Sequence, residues 1–240
     1  MLPADLLTRY GLPEDEALKA IEYVVTRTLT NAFRTHLSVR VNSLLEITSF
    51  PRSGAPFEIT KEAVSRKLRR HLVYMVELEL QKRQALFEAV GLIDLRRKCI
   101  AGEISRIAAD GTLCITFEIA ELFTHLAISG ECPVRHQPPA ERDRYRVGEV
   151  REFLVTSVVP IIVNKRSARV RIRLSRASKE FPARLLTERT GIAGIECRRR
   201  ILGGFSDIVT PARLPKEAIN SVGKELGEHL NVFVAKASNR

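Results

Sequence analysis

The chain has 240 residues, enough for two or three small domains, and its apolar content of 45% is ordinary for a globular protein. Its 39 Lys and Arg residues against 28 Asp and Glu residues give a formal net charge of +11, and the whole excess lies after residue 60. This distribution favours nucleic acid as the partner of the basic region and a protein as the partner of the near-neutral first region.

Cysteine spacing and hydropathy exclude several other classes of protein. Cys99, Cys114, Cys132 and Cys197 show no C-x-x-C spacing, so the sequence predicts neither a zinc site nor a disulfide framework. No apolar run approaches the roughly 18 residues of a membrane-spanning helix, and the N-terminus shows no signal-peptide pattern. We therefore expect a protein of the reducing cytoplasm that does not contact a membrane.

Two helices and one strand are predicted before residue 91. A proline and three acidic residues form a favourable first turn for a helix over residues 13–34. Residues 36–47 alternate as a strand does, and the prolines and glycine of residues 51–56 predict a turn or loop. A longer helix is predicted over residues 58–90, with Thr60 as its N-cap.

The long helix combines an apolar face with a basic flank. Its apolar residues recur at helical spacing: Val64, Leu68, Leu72, Met75, Val76, Leu80, Leu86, Phe87 and Val90. The flank of its first half contains Lys61, Arg66, Lys67, Arg69, Arg70 and His71. A basic amphipathic helix can meet a membrane surface, an acidic protein or nucleic acid, and the same pattern is also that of an ordinary surface helix.

From Cys99 onward the period of the apolar residues changes from 3.6 to 2, which predicts strands. The predicted strands are residues 100–107, 112–119, 122–128, 147–159 and 168–178. Asp110-Gly111 between the first two predicts a β-hairpin, and the polar residues 130–145 predict a long excursion. Five antiparallel strands with a long loop before the fourth favour an OB-type barrel, a fold that binds single-stranded nucleic acid.

The fifth strand alternates strictly between arginine and apolar residues. Its arginines are Arg169, Arg171 and Arg173, and its apolar residues are Val170, Ile172 and Leu174. One face is therefore expected in the core, while the other presents guanidinium groups suited to phosphate oxygens. The alternative is a merely solvated arginine face.

The last third of the chain is predicted to fold as a small α/β module. A short helix is expected from Phe181 and a longer one from Leu214. Strands are expected over residues 195–201, 205–211 and 230–234.

Three segments, taken with the order of the elements, resemble a known family. They are Gly102-Glu103-Ile104, Arg146-Val147-Gly148-Glu149-Val150 and Leu174-Ser175-Arg176-Ala177-Ser178. The chain resembles the NusA family of bacterial transcription elongation, termination and antitermination factors over about residues 12–236. The order of the elements carries this resemblance more than any single motif.

The resemblance implies a multidomain α+β protein with three domains. Residues 1–98 would form an N-terminal α/β domain with a long helix that binds RNA polymerase, and residues 99–178 a five-stranded, S-one-type OB β-barrel that binds RNA. Residues 179–240 would form a KH-like α/β module. A KH domain grips nucleotides through a GxxG loop between two helices, and residues 205–240 contain no such loop, so we expect an incomplete module.

Candidate contact residues follow from the barrel pattern and the resemblance. The RNA-binding candidates are Arg169, Arg171, Arg173, Phe117, Phe123, His125, Arg198 and Arg200. The polymerase-contact candidates are Arg66, Arg69 and Arg70. Aromatic residues of small barrels are usually buried, so a core position is the alternative for Phe117, Phe123 and His125. In the run Arg198-Arg199-Arg200 at least one side chain must be an ordinary solvent-exposed arginine, because a strand cannot present all three on one face.

We find no pattern of an enzyme in the sequence. The five histidines are dispersed singly, and no P-loop, dinucleotide fingerprint, catalytic triad or framed carboxylate pair occurs. We therefore expect no catalysis, cofactor, metal or small-molecule substrate. The expected function is that of a NusA-like factor that binds RNA polymerase and nascent single-stranded RNA. The alternative is a polymerase-independent RNA-binding protein acting on mRNA or the ribosome.

Overall fold

The computed structural model describes residues 9–41, 45–51, 53–121 and 124–235. These residues form four α-helices and three β-sheets, one of them five-stranded, so the predicted mixed α+β class is confirmed. The described chain divides into two compact units. The first contains residues up to Gly91 together with Pro160–Val170, and the second contains Leu92–Val159 together with residues from Arg171 onward. No helix in the described residues is long and apolar enough to cross a membrane.

The first unit packs two helices against a small antiparallel sheet. The helices are α1 (Glu14–Phe33) and α2 (Arg66–Gly91), and the strands are β1 (His36–Val41), β2 (Leu45–Phe50) and β3 (Phe57–Glu58). The predicted single strand over residues 36–47 is wrong, because β1 and β2 form an antiparallel pair with Val39 opposite Ile47. Both of these side chains are buried in the core of the unit, which explains why the alternating pattern continues across the break.

The long helix α2 begins later than its pattern predicts. A 3₁₀ turn, Lys61–Ala63, precedes it, and Ser65 rather than Thr60 caps it, because Ser65 Oγ accepts a hydrogen bond from the Leu68 N–H at 3.3 Å. The first half of the apolar stripe is buried, but its last three residues are not. Leu86, Phe87 and Val90 are 55%, 63% and 72% exposed, and the small residues Ala85 and Ala89 are buried instead.

A closed five-stranded barrel makes up much of the second unit, although the adjoining ends of its last two strands, within residues 160–170, belong to the first. Its strands are β4 (Cys99–Ile107), β5 (Leu113–Glu121), β6 (Thr124–Cys132), β7 (Val150–Val163) and β8 (Ser167–Ser175), in the order β4-β5-β6-β8-β7. The predicted hairpin at Asp110-Gly111 is confirmed, with β4 antiparallel to β5. The expectation that all pairs are antiparallel is wrong at one place: β6 and β8 run parallel, with Gly130 opposite Ile172.

The interior of the barrel requires a residue without a side chain at position 130. A Cβ atom on Gly130 would lie 2.7 Å from Leu174 Cδ1 and 3.3 Å from Phe117 Cε1. Real Cβ atoms do not come within 2.7 Å of a neighbour, so Leu174, with Phe117 beside it, fills the space above this glycine. The alternating apolar face of the arginine strand therefore points into the core, as the sequence predicts.

The rest of the second unit is a small α/β module. Its elements are α3 (Phe181–Thr190), β9 (Glu196–Ile201), β10 (Phe205–Thr210), α4 (Lys216–Leu226) and β11 (His229–Val234). All five occur where the sequence predicts an element. The sheet has the order β11-β10-β9, with β10 antiparallel to β9 and parallel to β11. The helix α4 leads directly to β11 through Gly227 and Glu228, so no second helix intervenes.

A buried arginine links this module to the barrel within the second unit. Arg176 follows β8 and its side chain is 0% exposed. It makes a bidentate ion pair with Glu141, at 2.7 and 2.9 Å, and a second ion pair with Glu225 of α4 at 2.9 Å. It also donates hydrogen bonds to the carbonyl oxygens of Glu152 in β7 and Glu225. Every strong donor position of this guanidinium is thereby occupied.

Candidate nucleic-acid interface

The outward face of β8 carries the arginines that the sequence analysis singled out. Arg169 is exposed, whereas Arg171 and Arg173 are partly buried. The Nε atom of Arg171 is buried and has no hydrogen-bond partner among the described residues. A buried guanidinium donor without a partner is uncommon and unfavourable, so this atom is suited to receive an acceptor from a ligand.

The closed barrel places residues from four strands in one row beside Arg173. Arg106 of β4 pairs with Cys114 of β5, Cys114 pairs with Glu131 of β6, and Glu131 pairs with Arg173 of β8. Arg106 also donates to Cys114 Sγ at 3.4 Å. Since cross-strand partners point to the same face of a sheet, this row lies on the outside of the barrel. The row combines two cations with one carboxylate.

A 3₁₀ turn that follows β6, Val134–His136, brings two more basic groups to the end of β8. The carbonyl oxygen of His136 accepts hydrogen bonds from the N–H groups of Arg176 and Ala177, at 2.9 and 3.0 Å, and from Ser175 Oγ. These bonds hold the turn against the end of the arginine strand. Within the turn, Arg135 Nε donates to His136 Nε2 at 3.3 Å, so that ring nitrogen is unprotonated.

The charges of these groups act on one another. Burial, followed by the charges of Arg171 and Arg135, lowers the pKa of Arg173, although its guanidinium remains protonated at pH 7. Burial, followed by the charges of Arg135 and Arg173, lowers the pKa of His136, which is therefore neutral at pH 7. We call Arg135, His136, Arg171 and Arg173 the cationic cluster. It concentrates positive charge at one place on the barrel.

The aromatic candidates do not join the cationic cluster. Phe117 is 3% exposed and packs inside the barrel, so its predicted role in stacking on a base is wrong, and the core alternative holds. Phe123 lies outside the described residues. His125 lies in β6 opposite Ala120, but its side chain is not among those described.

A β-bulge decides the positions of the arginines in β9. The register with β10 shifts between Asp207, which faces Arg199, and Ile208, which faces Cys197, so Arg198 has no opposite residue. Arg198 and Arg199 are exposed, and Arg199 lies over the Phe205 ring at 5.3 Å.

Arg200 points inward and is not available to a ligand. Its side chain is 3% exposed and pairs at 2.8 Å with Glu228, whose side chain is 0% exposed. It also donates to the Ser178 carbonyl oxygen, and Ser206 Oγ donates to Glu228 at 2.7 Å. The prediction of Arg200 as an RNA-binding residue is therefore wrong. Its guanidinium is already satisfied inside the module.

In the first unit, the polymerase-contact candidates lie on one face of α2. Arg66 and Arg70 are exposed, Arg69 is partly exposed, and together with Val73 they line an open depression. The first turn of this helix contains no acidic residue, so these arginines lie near the positive end of the helix dipole without a compensating charge on that turn. An anionic surface would relieve this repulsion.

Sequence reasoning missed Arg106, Arg135 and His136. Arg135 and His136 lie in the polar excursion, and only hydrogen bonds to the residues after β8 place them beside Arg173. Among the described residues, no group of three or more His, Cys, Asp or Glu side chains could hold a metal ion. No protein-family model matches this chain, and no curated protein is significantly similar to it.

Proposed function

We propose that this chain is an RNA-binding protein of the NusA type, which binds single-stranded nascent RNA with its barrel and RNA polymerase with its first unit. The observation that carries the RNA-binding part is the cationic cluster on the outside of a closed five-stranded barrel. The strand order β4-β5-β6-β8-β7, with β6 parallel to β8, is the order expected for an OB-type barrel. Barrels of this type bind oligonucleotides on the face of their second and third strands, here β5 and β6, and the cluster lies next to that face because β8 neighbours β6.

The chemistry of the cluster supports RNA more than a neutral ligand. Arginine presents planar donors that match phosphate oxygens, and Arg171 Nε offers a donor that the protein leaves unused. The carboxylate of Glu131 lies in the same row as Arg106 and Arg173, and Arg135 lies in the adjoining turn. One negative charge does not neutralise these three arginines. A polyanion therefore gains more from this surface than a neutral ligand would.

The polymerase-binding part rests on the resemblance in chain order and on the arginines at the start of α2, whose first turn contains no acidic residue. No catalysis is required of such a factor. Tethering to polymerase raises the effective concentration of a weak RNA site beside the emerging transcript. Holding or releasing that transcript would then change pausing, termination or antitermination. The incomplete KH-like module, with Arg200 internally paired, would leave the barrel as the main RNA contact.

The RNA-binding part is tested by the salt dependence of binding. We expect the full chain to bind a single-stranded oligouridylate, and an Arg171→Ala, Arg173→Ala variant to bind it more weakly. Loss of one phosphate contact should reduce the slope of log K against log salt by about 0.7. An Arg213→Ala variant, which removes an exposed charge outside the cluster, is the control. An unchanged slope in the double variant would show that these arginines are merely solvated.

The polymerase-binding part is tested by recovery of polymerase subunits on the immobilised full chain. We expect recovery with the native sequence and a large reduction with Arg66, Arg69 and Arg70 all changed to Ala. A variant with Arg142, Arg144 and Arg146 changed to Ala removes the same charge from another exposed segment and should retain recovery. If the native chain binds RNA but recovers no polymerase subunit, the polymerase-independent function replaces this one.

A further inference from the structure

The turn after β6 contains two residues, Arg135 and His136, that are hydrogen-bonded to each other. In the free protein, the donor Arg135 Nε is engaged by the lone pair of His136 Nε2 at 3.3 Å. A phosphate oxygen placed between them would accept from Arg135 Nε and could accept from His136 only if Nε2 carried a proton. A phosphate bound there would therefore replace the hydrogen bond within the turn by two hydrogen bonds to the ligand.

Arg171 and Arg173 complete this site from the neighbouring strand. They lie two residues apart on the same face of β8, and the charges of Arg171 and Arg135 both act on Arg173. Arg171 Nε is buried and unpartnered within the described residues. A phosphodiester has two unesterified oxygens that can accept hydrogen bonds from several donors at once. It would therefore supply the acceptor that Arg171 Nε lacks within the described residues.

We propose that Arg135, His136, Arg171 and Arg173 form a phosphodiester-binding site, and that His136 takes up a proton when the phosphate binds. This inference rests on the proposed RNA-binding function and adds two features to it. It assigns the contact to a phosphate rather than to a base, and it makes RNA binding depend on pH. The proton comes from solvent and is held on His136 Nε2, with no covalent change.

The groups around His136 make it the titrating residue of the site. Its imidazole faces the permanent charges of Arg135 in its own turn and Arg173 of β8. The Cys132 thiol and the N–H of Arg176 bond to its carbonyl oxygen, and Arg176 is itself paired with Glu141. Burial raises the pKa of Cys132 to about 12, and the ion pair with Arg176 keeps the pKa of Glu141 below its ordinary value despite burial. Neither group titrates between pH 5.5 and 8.5.

The sign of the effect follows from linkage. The surrounding arginines oppose protonation of His136 in the free protein, and a bound phosphate anion favours it. Binding should therefore tighten as pH falls through the pKa of His136 in the complex. The gain should be complete below the pKa of His136 in the free protein. A rise of about one pKa unit on binding corresponds to about tenfold tighter binding at low pH.

The experiment measures binding of the full chain to a twelve-residue oligouridylate by fluorescence anisotropy between pH 5.5 and 8.5. The RNA carries a 5′ hydroxyl and a pH-insensitive rhodamine label, because a terminal phosphate would itself titrate near pH 6. We expect the native chain to bind about tenfold more tightly at pH 5.5 than at pH 8.5. His136→Gln should lose most of this pH dependence. His229→Gln, which changes an exposed histidine of β11, should retain it.

A lysine variant tests whether the site uses guanidinium geometry or charge alone. Arg171→Lys keeps the charge and removes the unpartnered Nε donor, so it should retain the salt slope while weakening binding about tenfold.

Native pH dependence in His136→Gln, or equal weakening of that variant at every pH, would overturn the proposal. The second result would indicate contact with a base. Absence of RNA binding by the native chain would refute the proposed function as well, whereas native binding unaffected by these variants would refute this site alone.

Discussion

The buried Arg176 offers the sharpest test of how the second unit is held together. Changing it to Met keeps most of the side-chain volume and removes the charge, which leaves Glu141 and Glu225 facing each other without their common cation. Removing one member of a buried ion pair costs about 3–5 kcal/mol. The two carboxylate side chains are 21% and 23% exposed, so water can solvate them in part, and we expect the lower value of about 3 kcal/mol.

This loss should be visible by calorimetry of the full chain. The second unit contains about 140 residues, for which the unfolding entropy is about 0.3 kcal/mol/K, so a loss of about 3 kcal/mol lowers Tm by about 10 °C. Arg213→Met, which changes an exposed arginine of the same unit, should leave Tm within about 2 °C of the native value.

A triple variant separates the loss of the cation from the loss of packing. Glu141→Gln, Arg176→Met and Glu225→Gln together remove all three charges, so this protein should be more stable than Arg176→Met alone.

The pH dependence of stability gives a second readout. Burial would raise the pKa of Glu141, but its bonds to Arg176 hold that pKa below the ordinary value. The associated stability is therefore present above about pH 4.5 and is lost as pH falls through the lower folded-state pKa. An Arg176→Met protein with native Tm would refute the reasoning.

Two further predictions concern other buried contacts of the second unit. Glu228→Gln should lower the unfolding free energy by about 3 kcal/mol or more, because it leaves the 3% exposed Arg200 side chain charged and without its anion. Denaturant titration measures this loss, and an unchanged unfolding midpoint would contradict the prediction. Gly130→Ala should cost about 1–3 kcal/mol, because its Cβ would lie 2.7 Å from Leu174 Cδ1. Gly91→Ala, at a position with open space, is the matched control and should not be destabilising, so equal Tm shifts in both variants would refute the packing argument.

Local sequence signals fixed the type of nearly every element. Asp110-Gly111 predicts the hairpin because a tight turn needs residues that tolerate its backbone, and Gly111 indeed has φ of +78°. The alternation in β8 predicts which side chains enter the core, since successive side chains of a strand point to opposite faces. The boundaries of the elements were less predictable. The start of α2 depends on whether Thr60 or Ser65 caps the helix, and both residues carry a hydroxyl group that can do so.

The candidate site was predictable only in part. The arginines at 171 and 173 follow from a period of two, but their neighbours Arg135 and His136 are distant in sequence and reach them through hydrogen bonds between backbone groups. Phe117 could not be assigned to core or surface from its flanking residues; in the structure it is 3% exposed and lies above Gly130.

The sequence by itself determined the order of helices and strands, the excess of positive charge after residue 60 and the arginine face of β8, because these depend on residues close together in the chain. Only the tertiary structure decided which arginines are available to a ligand. Beyond the bulge in β9, Arg200 points toward the buried Glu228 and pairs with it. The guanidinium of Arg176 is buried in its own ion pairs. The Nε atom of Arg171, by contrast, has no partner in the described residues. The physical reason is that exposure of a charge depends on strand register and on the distant groups that it meets.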